Sequence, residues 1–126
     1  MPALEVADLH KRFGRVRALR GVSFALEPGE VFGFLGPNGA GKTTTLRILL
    51  GLVRADRGAA RLLGGPAGEP ASRERVGFLP GELRLPGGMT GHGVLEHFAR
   101  FRPARPPVLR ERLLDALDLR ESDLRR

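Results

Sequence analysis

The stretch GFLGPNGAGKTTTLRILLG, residues 33 to 51, constrains the fold more than any other part of the chain. The apolar run VFGFLG at its start predicts a short strand buried on both faces, as in a parallel sheet. A helix is predicted from about Gly41 to Leu50, with Gly51 at its C-terminal end. Its apolar side would carry Leu46, Leu49 and Leu50. The order of strand, glycine-rich loop and helix indicates an α/β fold.

The residues between the strand and the helix, GPNGAGKT from Gly36 to Thr43, fit the pattern G-x-x-x-x-G-K-[ST] of a phosphate-binding loop. Glycines let consecutive backbone N–H groups turn towards an anion, and the helix N-terminus adds partial positive charge. Lys42 is expected to reach the β- and γ-phosphates of a nucleotide, and the Thr43 hydroxyl to ligate Mg²⁺. A glycine-rich turn that ends in a basic helix is the alternative, but the strand before the loop and the helix after it favour nucleotide binding. The predicted loop residues are Gly36, Pro37, Asn38, Gly39, Ala40, Gly41, Lys42, Thr43 and Thr44.

The rest of the chain predicts short strands followed by helices. ALEVADLHKRFG and VRALRGVSFALEPGE alternate apolar and polar residues, which indicates two strands separated by a turn at Gly14. A turn around Asp56 to Gly58 precedes another strand, PAGEPASRER is a polar connector, and VGFLP at 76–80 predicts a further buried strand. Residues 81–93 are predicted to be a loop. Two helices follow, separated by RPARPP, with their apolar faces formed by Val94, Leu95, Phe98 and Phe101, and by Leu109, Leu113, Ala116 and Leu117.

Length and composition limit the class of protein. The 126 residues suffice for one domain or part of a larger one, and no apolar run approaches the roughly 20 residues that span a bilayer. There is no cysteine and no secretory signal, so a cytoplasmic setting is expected. The net charge of +7 is spread along the chain, which does not favour a nucleic-acid partner.

FGRVRALRGVSFALEPGEVFGFLGPNGAGKTTTLRILLGLVRADRG resembles the start of an ABC transporter ATP-binding domain, most specifically over residues 13–51. The wording GFLGPNGAGKTTT is most similar to the ATPase subunits of ABC-2 type exporters. The resemblance implies an incomplete α/β fold: a P-loop NTPase core with an N-terminal antiparallel β portion and the start of a helical subdomain. Residues 1–80 would form the β portion and core, 81–93 a Q-loop-like segment, and 94–126 the start of the helical subdomain, all within one ABC-type domain.

The same resemblance implies roles for two residues outside the loop. Phe13 stands where the family has an aromatic residue that stacks on adenine; the alternative is a core phenylalanine at the end of a strand. VGFLP resembles the strand that enters the family's Q-loop, but Gly81 occupies the position of the expected glutamine. The neighbouring Glu82 could approach the metal, or its side chain could point to solvent.

Other parts of the family's hydrolytic site are missing from the sequence. The chain contains no serine and glycine signature, no apolar strand ending in Asp-Glu and no switch histidine after such a strand. We therefore do not expect this stretch alone to hydrolyse ATP. Because a parallel sheet needs strands on both sides of the phosphate-loop strand, we expect the isolated stretch to expose edges and apolar faces, and so to be marginally stable or prone to aggregate. The remaining histidines and carboxylates are interpreted as ordinary surface or packing residues: His10, His92, His97, Asp115, Asp118 and Glu121.

The leading hypothesis is part of the ATP-binding subunit of an ABC exporter. By resemblance, it would bind Mg-ATP, pair with a second ATP-binding subunit, and drive a transmembrane permease subunit from the inner face of the cell membrane. Two alternatives stay open: a truncated nucleotide-binding module without turnover, and an ABC-type ATPase that acts on nucleic acid.

Overall fold

The computed structural model describes residues 1–101 and 109–125, and its sheet is built on the hairpin predicted near the N-terminus. β1 (Leu4–Phe13) pairs antiparallel with β2 (Val16–Leu26). Phe13 faces Val16 across the turn, where Gly14 has a φ of +55°. A positive φ suits glycine because it has no Cβ to clash with the backbone. Both predicted strands are confirmed.

β3 (Arg57–Leu62) and β4 (Gly65–Pro66) complete an antiparallel sheet of order β2-β1-β3-β4. One face of this sheet packs against helix α1 (Lys42–Leu49). Leu46, predicted on the buried side of α1, is 42% exposed, and Ile48 is buried instead. The residues of α1 that face the sheet are three and four apart, which is the spacing of one helical face. The core consists of Val6, Leu9, Leu19, Ile48, Leu49 and Leu62.

The two segments predicted as buried strands, 31–36 and 76–80, do not form strands in the structure. Val31 is 98% exposed and Leu35 is 91% exposed, while Phe32 and Phe34 pack on Phe24 with ring centroids 5.3 and 5.4 Å away. A strand of a parallel sheet needs neighbouring strands for its backbone N–H and C=O groups. Among the described residues, no strand pairs with either segment, so neither can form a buried strand. In residues 31–36, the side with Phe32 and Phe34 packs on Phe24, and the side with Val31 and Leu35 is exposed.

The chain divides into two compact units, Met1–Gly77 and Phe78–Arg126. The first also contains the short helix α2 (Pro70–Arg73), which lies in the predicted polar connector. The second contains α3 (Gly91–Ala99), α4 (Arg110–Ala116) and α5 (Glu121–Leu124). In the described part of the chain, no helix is long and apolar enough to cross a membrane.

The two helices predicted for the second unit are confirmed, although α3 begins inside the segment predicted as a loop. The hydroxyl of Thr90 accepts a hydrogen bond from the Gly93 N–H at 3.1 Å, which caps α3 and explains its early start. The predicted helix breaker RPARPP lies outside the described residues. Helix α5 was not predicted, because only Leu124 in this short element is buried.

Candidate nucleotide-binding site

The glycine-rich loop leads directly into α1. Within it, the Ala40 N–H donates to the Pro37 carbonyl oxygen at 3.1 Å, which closes a tight turn. Gly39 has a φ of +84° and Gly41 a φ of +89°, so both adopt the left-handed conformation that glycine tolerates best. Two of the predicted glycines, Gly39 and Gly41, therefore occupy positions where the backbone geometry favours glycine.

Gly41 also permits a close approach between the loop and strand β2. A Cβ at this position would lie 2.5 Å from the Ala18 carbonyl oxygen and 2.5 Å from Cδ2 of Leu19. At Gly39 a Cβ would meet nothing within 4 Å, whereas at Gly36 it would lie 3.2 Å from the Cβ of Ala40. The loop is thus held against the hairpin at its last glycine and is open at Gly39.

The N-terminus of α1 has the features of an anion-binding helix end. No side chain caps it, and its first turn contains no acidic residue. Thr45 is fully buried and directs both its N–H and its hydroxyl to the Gly41 carbonyl oxygen, at 2.8 and 3.0 Å. The first N–H groups of a helix have no partner within it, so an anion at this end would be stabilised by them and by the helix dipole.

Lys42 folds back over the loop that precedes it. Its ammonium donates to the carbonyl oxygen of Pro37 at 2.8 Å and also to that of Gly36. An ammonium has three N–H donors, and in the described part of the chain two of them bond to these carbonyls. The remaining donor can serve a phosphate oxygen above the loop. Thr43 and Thr44 follow in the first turn of α1.

Phe13 lies at the last position of β1 and its side chain is 49% exposed. The ammonium of Lys11 lies 5.3 Å from the centroid of its ring. Lys11 in turn donates to Oδ1 of Asp56 at 2.7 Å, and Oδ2 of Asp56 accepts from the Arg12 N–H at 2.7 Å. These hydrogen bonds, that from Lys11 first, lower the pKa of the Asp56 carboxyl. Phe13 is therefore not a core residue. The sequence did not predict that Lys11 and Asp56 lie next to it.

Gly81 and Glu82 belong to the second unit, in an exposed segment without helix or strand. A Cβ at Gly81 would meet nothing within 4 Å, so a side chain would fit there. Among the described residues, no group of three histidine, cysteine, aspartate or glutamate side chains could hold a metal ion. The metal role considered for Glu82 remains a hypothesis.

Several of the remaining histidines and carboxylates pair with other side chains, and the position of one histidine was predicted wrongly from the sequence. His10 contacts Asp8 at 2.9 Å, and His97 packs edge-on against Phe98 and Phe101. His92, predicted in the loop, lies in the first turn of α3 and contacts Oε1 of Glu121 at 2.6 Å. Asp115 and Asp118 are exposed.

The residues of the loop are suited to bind the phosphate groups that the sequence predicts as their ligand. An uncapped helix end, a lysine held over the loop by backbone carbonyls and a turn that a Cβ at Gly41 would disrupt together favour an anion of phosphate type. Thr43, in the first turn of the same helix, has a hydroxyl, which is the kind of oxygen ligand that Mg²⁺ prefers.

Comparison with known proteins identifies the class. A sequence profile described as ABC transporter matches residues 19–122. The chain therefore belongs to the ABC transporter family, and its fold is that of part of the family's ATP-binding domain.

The curated relatives and solved structures agree with that assignment. Nod factor export ATP-binding protein I of Paraburkholderia xenovorans is 41% identical over 133 residues, covering 97% of this chain and 44% of the relative. The protein of the same name from Ralstonia nicotianae is 40% identical over 119 residues, covering 93% and 37%. A solved structure of the ATP-binding subunit of an ABC transporter superposes with a TM-score of 0.82 at 29% identity, covering 98% of this chain and 53% of that one. The chain spans less than half the length of these two curated relatives.

Proposed function

We propose that this chain binds Mg-ATP through its glycine-rich loop, as part of the ATP-binding subunit of an ABC exporter. The observation that carries the proposal is the combination of an uncapped α1 N-terminus with Lys42 held directly over the loop. Backbone N–H groups of the loop and the Lys42 ammonium would bind the β- and γ-phosphates; Pro37 has no N–H to contribute, and the Ala40 N–H bonds the Pro37 carbonyl oxygen. The Thr43 hydroxyl would ligate Mg²⁺, Thr44 would donate to a neighbouring phosphate, and the ring of Phe13 would stack on the adenine.

Export and its partners follow from the family and from the names of the relatives. Both Nod factor relatives are named as export ATP-binding proteins. By likeness to them, we propose that the complete protein pairs with a second ATP-binding subunit and with a transmembrane permease subunit at the inner face of the membrane. ATP-driven closure of the paired subunits would then be transmitted to the permease.

Hydrolysis is proposed for the complete family member and not for these residues alone. The phosphate loop binds and orients the nucleotide, and bound Mg²⁺ supplies charge neutralisation at the phosphates. No base that activates the attacking water is assigned, because the sequence contains no apolar strand ending in Asp-Glu, which supplies that base in the family. If Glu82 has a role, it would be at the metal.

The test is titration of the purified chain with Mg-ATP by calorimetry. Lys42→Ala should weaken binding by roughly 100-fold, since it removes a charge-assisted contact to phosphate. Arg47→Gln is the matched control, because it removes one positive charge from the exposed side of the same helix. Equal affinity in wild type and Lys42→Ala would contradict the proposal.

The second candidate function is a nucleotide-binding module without turnover. It can be distinguished by measuring phosphate release from the same purified chain. If the chain binds Mg-ATP but releases no phosphate, it acts as a binding module by itself. Phosphate release that disappears in Lys42→Ala would instead show that these residues suffice for hydrolysis.

A further inference from the structure

Asp56 is tied to the end of β1 by three hydrogen bonds. Its N–H donates to the His10 carbonyl oxygen at 2.9 Å, and its two carboxylate oxygens accept from the Arg12 N–H and the Lys11 ammonium, each at 2.7 Å. The ladder between β1 and β3 ends at the pair His10 and Arg57. Asp56 therefore holds the stretch of β1 that lies beyond the ladder and directly before Phe13.

Lys11 connects this anchor to the aromatic ring. Its side chain is only 14% exposed, and its ammonium bonds Asp56 while lying 5.3 Å from the centroid of Phe13. A cation at that distance is attracted by the face of the ring. Since a ring has two faces and Phe13 is 49% exposed, surface remains for a flat ligand.

The same region is close to the phosphate loop along the sheet. Lys11 is the cross-strand partner of Leu19, and Leu19 is the residue that a Cβ at Gly41 would meet. Lys11, Leu19 and Asp56 line a cavity of about 380 Å³ together with His10 and three arginines. The anchor of Phe13 and the last glycine of the loop thus both lie beside Leu19 of β2.

We propose that Lys11 and Asp56 are positioning residues that hold Phe13 as the platform for the adenine base. This inference rests on the proposed function, in which Phe13 stacks on adenine. In this proposal the pair acts through Phe13 and has no role at the phosphates. The competing explanation is that the pair only stabilises the sheet, in the way that any ion pair between neighbouring strands does.

A matched control lies on the same strands. Arg57 contacts Asp8 at 3.4 Å, with side chains 77% and 55% exposed, whereas the cation over the Phe13 ring is that of Lys11. Arg57→Gln therefore removes a β1–β3 ion pair without touching the proposed platform. Lys11→Arg keeps both the cation near the ring and a donor for Asp56.

The experiment compares the affinities for Mg-ATP and for magnesium tripolyphosphate, which has no base. Lys11→Met and Asp56→Asn should each weaken Mg-ATP binding by roughly threefold, as expected for loss of an exposed cation–π contact, and leave tripolyphosphate binding unchanged. Lys11→Arg and Arg57→Gln should bind both ligands as the wild type does. In a Phe13→Ala background, Asp56→Asn should have no further effect on Mg-ATP.

Three results would overturn the inference: equal loss of both ligands, a loss in Arg57→Gln as large as in Asp56→Asn, or additive effects of Phe13→Ala and Asp56→Asn. A thermal melt of each variant establishes that the folded protein is being compared. Failure of the proposed function has a different signature, because Lys42→Ala would then leave binding of both ligands unchanged.

Discussion

The ammonium of Lys42 donates to the carbonyl oxygen of Pro37 from 2.8 Å away, so the lysine closes the loop that precedes it in the chain. Its contact with the Gly36 carbonyl strengthens the closure. Lys42, which we propose binds phosphate, therefore also has a structural role. It stabilises the turn whose N–H groups would bind the anion.

Replacing Lys42 by alanine should loosen the loop even in the absence of nucleotide. We expect amide hydrogen exchange of residues 38–41 to accelerate by roughly tenfold, which corresponds to losing about one net hydrogen bond to a charged group. Exchange measured by mass spectrometry, with Arg47→Gln as the control, checks this. Unchanged exchange in Lys42→Ala would mean that the backbone alone holds the turn.

Two glycines of the loop with similar backbone angles should respond differently to alanine. Gly39→Ala should cost about 1 kcal/mol, since only the left-handed conformation opposes it. Gly41→Ala should cost about 3 kcal/mol or more, because its Cβ would also collide with the backbone of Ala18. Urea unfolding of both variants measures the difference. Equal free energies of unfolding would refute the close approach to β2.

The Asp56 carboxylate should contribute stability that depends on pH. Its pKa is lowered in the folded chain, first by the hydrogen bond from Lys11 and then by that from the Arg12 N–H. A lowered pKa stabilises the fold above the unfolded value of about 3.9, and this stabilisation is lost as the pH falls through the folded value.

The difference in unfolding free energy between wild type and Asp56→Asn should therefore be constant from pH 7 to about pH 5 and should shrink below about pH 4. Chemical unfolding at several pH values measures it. Glu5→Gln, on the neighbouring strand β1, is the control for removing an exposed carboxylate from the same sheet. A difference that does not shrink in acid would be inconsistent with the ion pair.

In the second unit, His92 bonds residues at the starts of two other helices. Arg110 contacts its Nδ1 at 3.2 Å, and Oε1 of Glu121 lies 2.6 Å from its Nε2. A guanidinium only donates, so Nδ1 must accept and Nε2 must carry the proton donated to Glu121. His92→Phe should destabilise the unit by about 1 kcal/mol, whereas His92→Gln keeps a donor and an acceptor and should cost less.

Thermal unfolding of the two variants, followed by helical circular dichroism, measures that ordering, and ¹⁵N NMR of the imidazole identifies the tautomer. Glu96→Gln, which changes an exposed residue of α3, serves as the control. Destabilisation of His92→Gln as large as that of His92→Phe would argue against the bonded network.

Local patterns determined what could be read from the sequence. The β1–β2 hairpin, the loop and α1 were predictable because alternation, glycine spacing and helical periodicity each act within a few residues. The apolar runs at 31–36 and 76–80 were predicted as buried strands, but burial depends on neighbouring strands, which a local pattern cannot supply.

Contacts between distant residues were the part that could not be predicted. Asp56 looked like a turn residue, yet it bonds Lys11, which is 45 positions away. His92 and Glu121, 29 positions apart, were each interpreted as ordinary surface or packing residues, without a link between them. Such pairs form only when the fold brings distant residues together, so no spacing pattern in the sequence predicts them.

Phe13 has one more consequence, which concerns spectroscopy. The chain contains seven phenylalanines but no tyrosine and no tryptophan, so its near-ultraviolet emission is almost dark. A tryptophan substituted at the half-exposed end of β1 would be the sole strong fluorophore of the molecule. The fluorescence of a tryptophan at the hairpin tip would therefore report on this site without the replacement of any other aromatic residue.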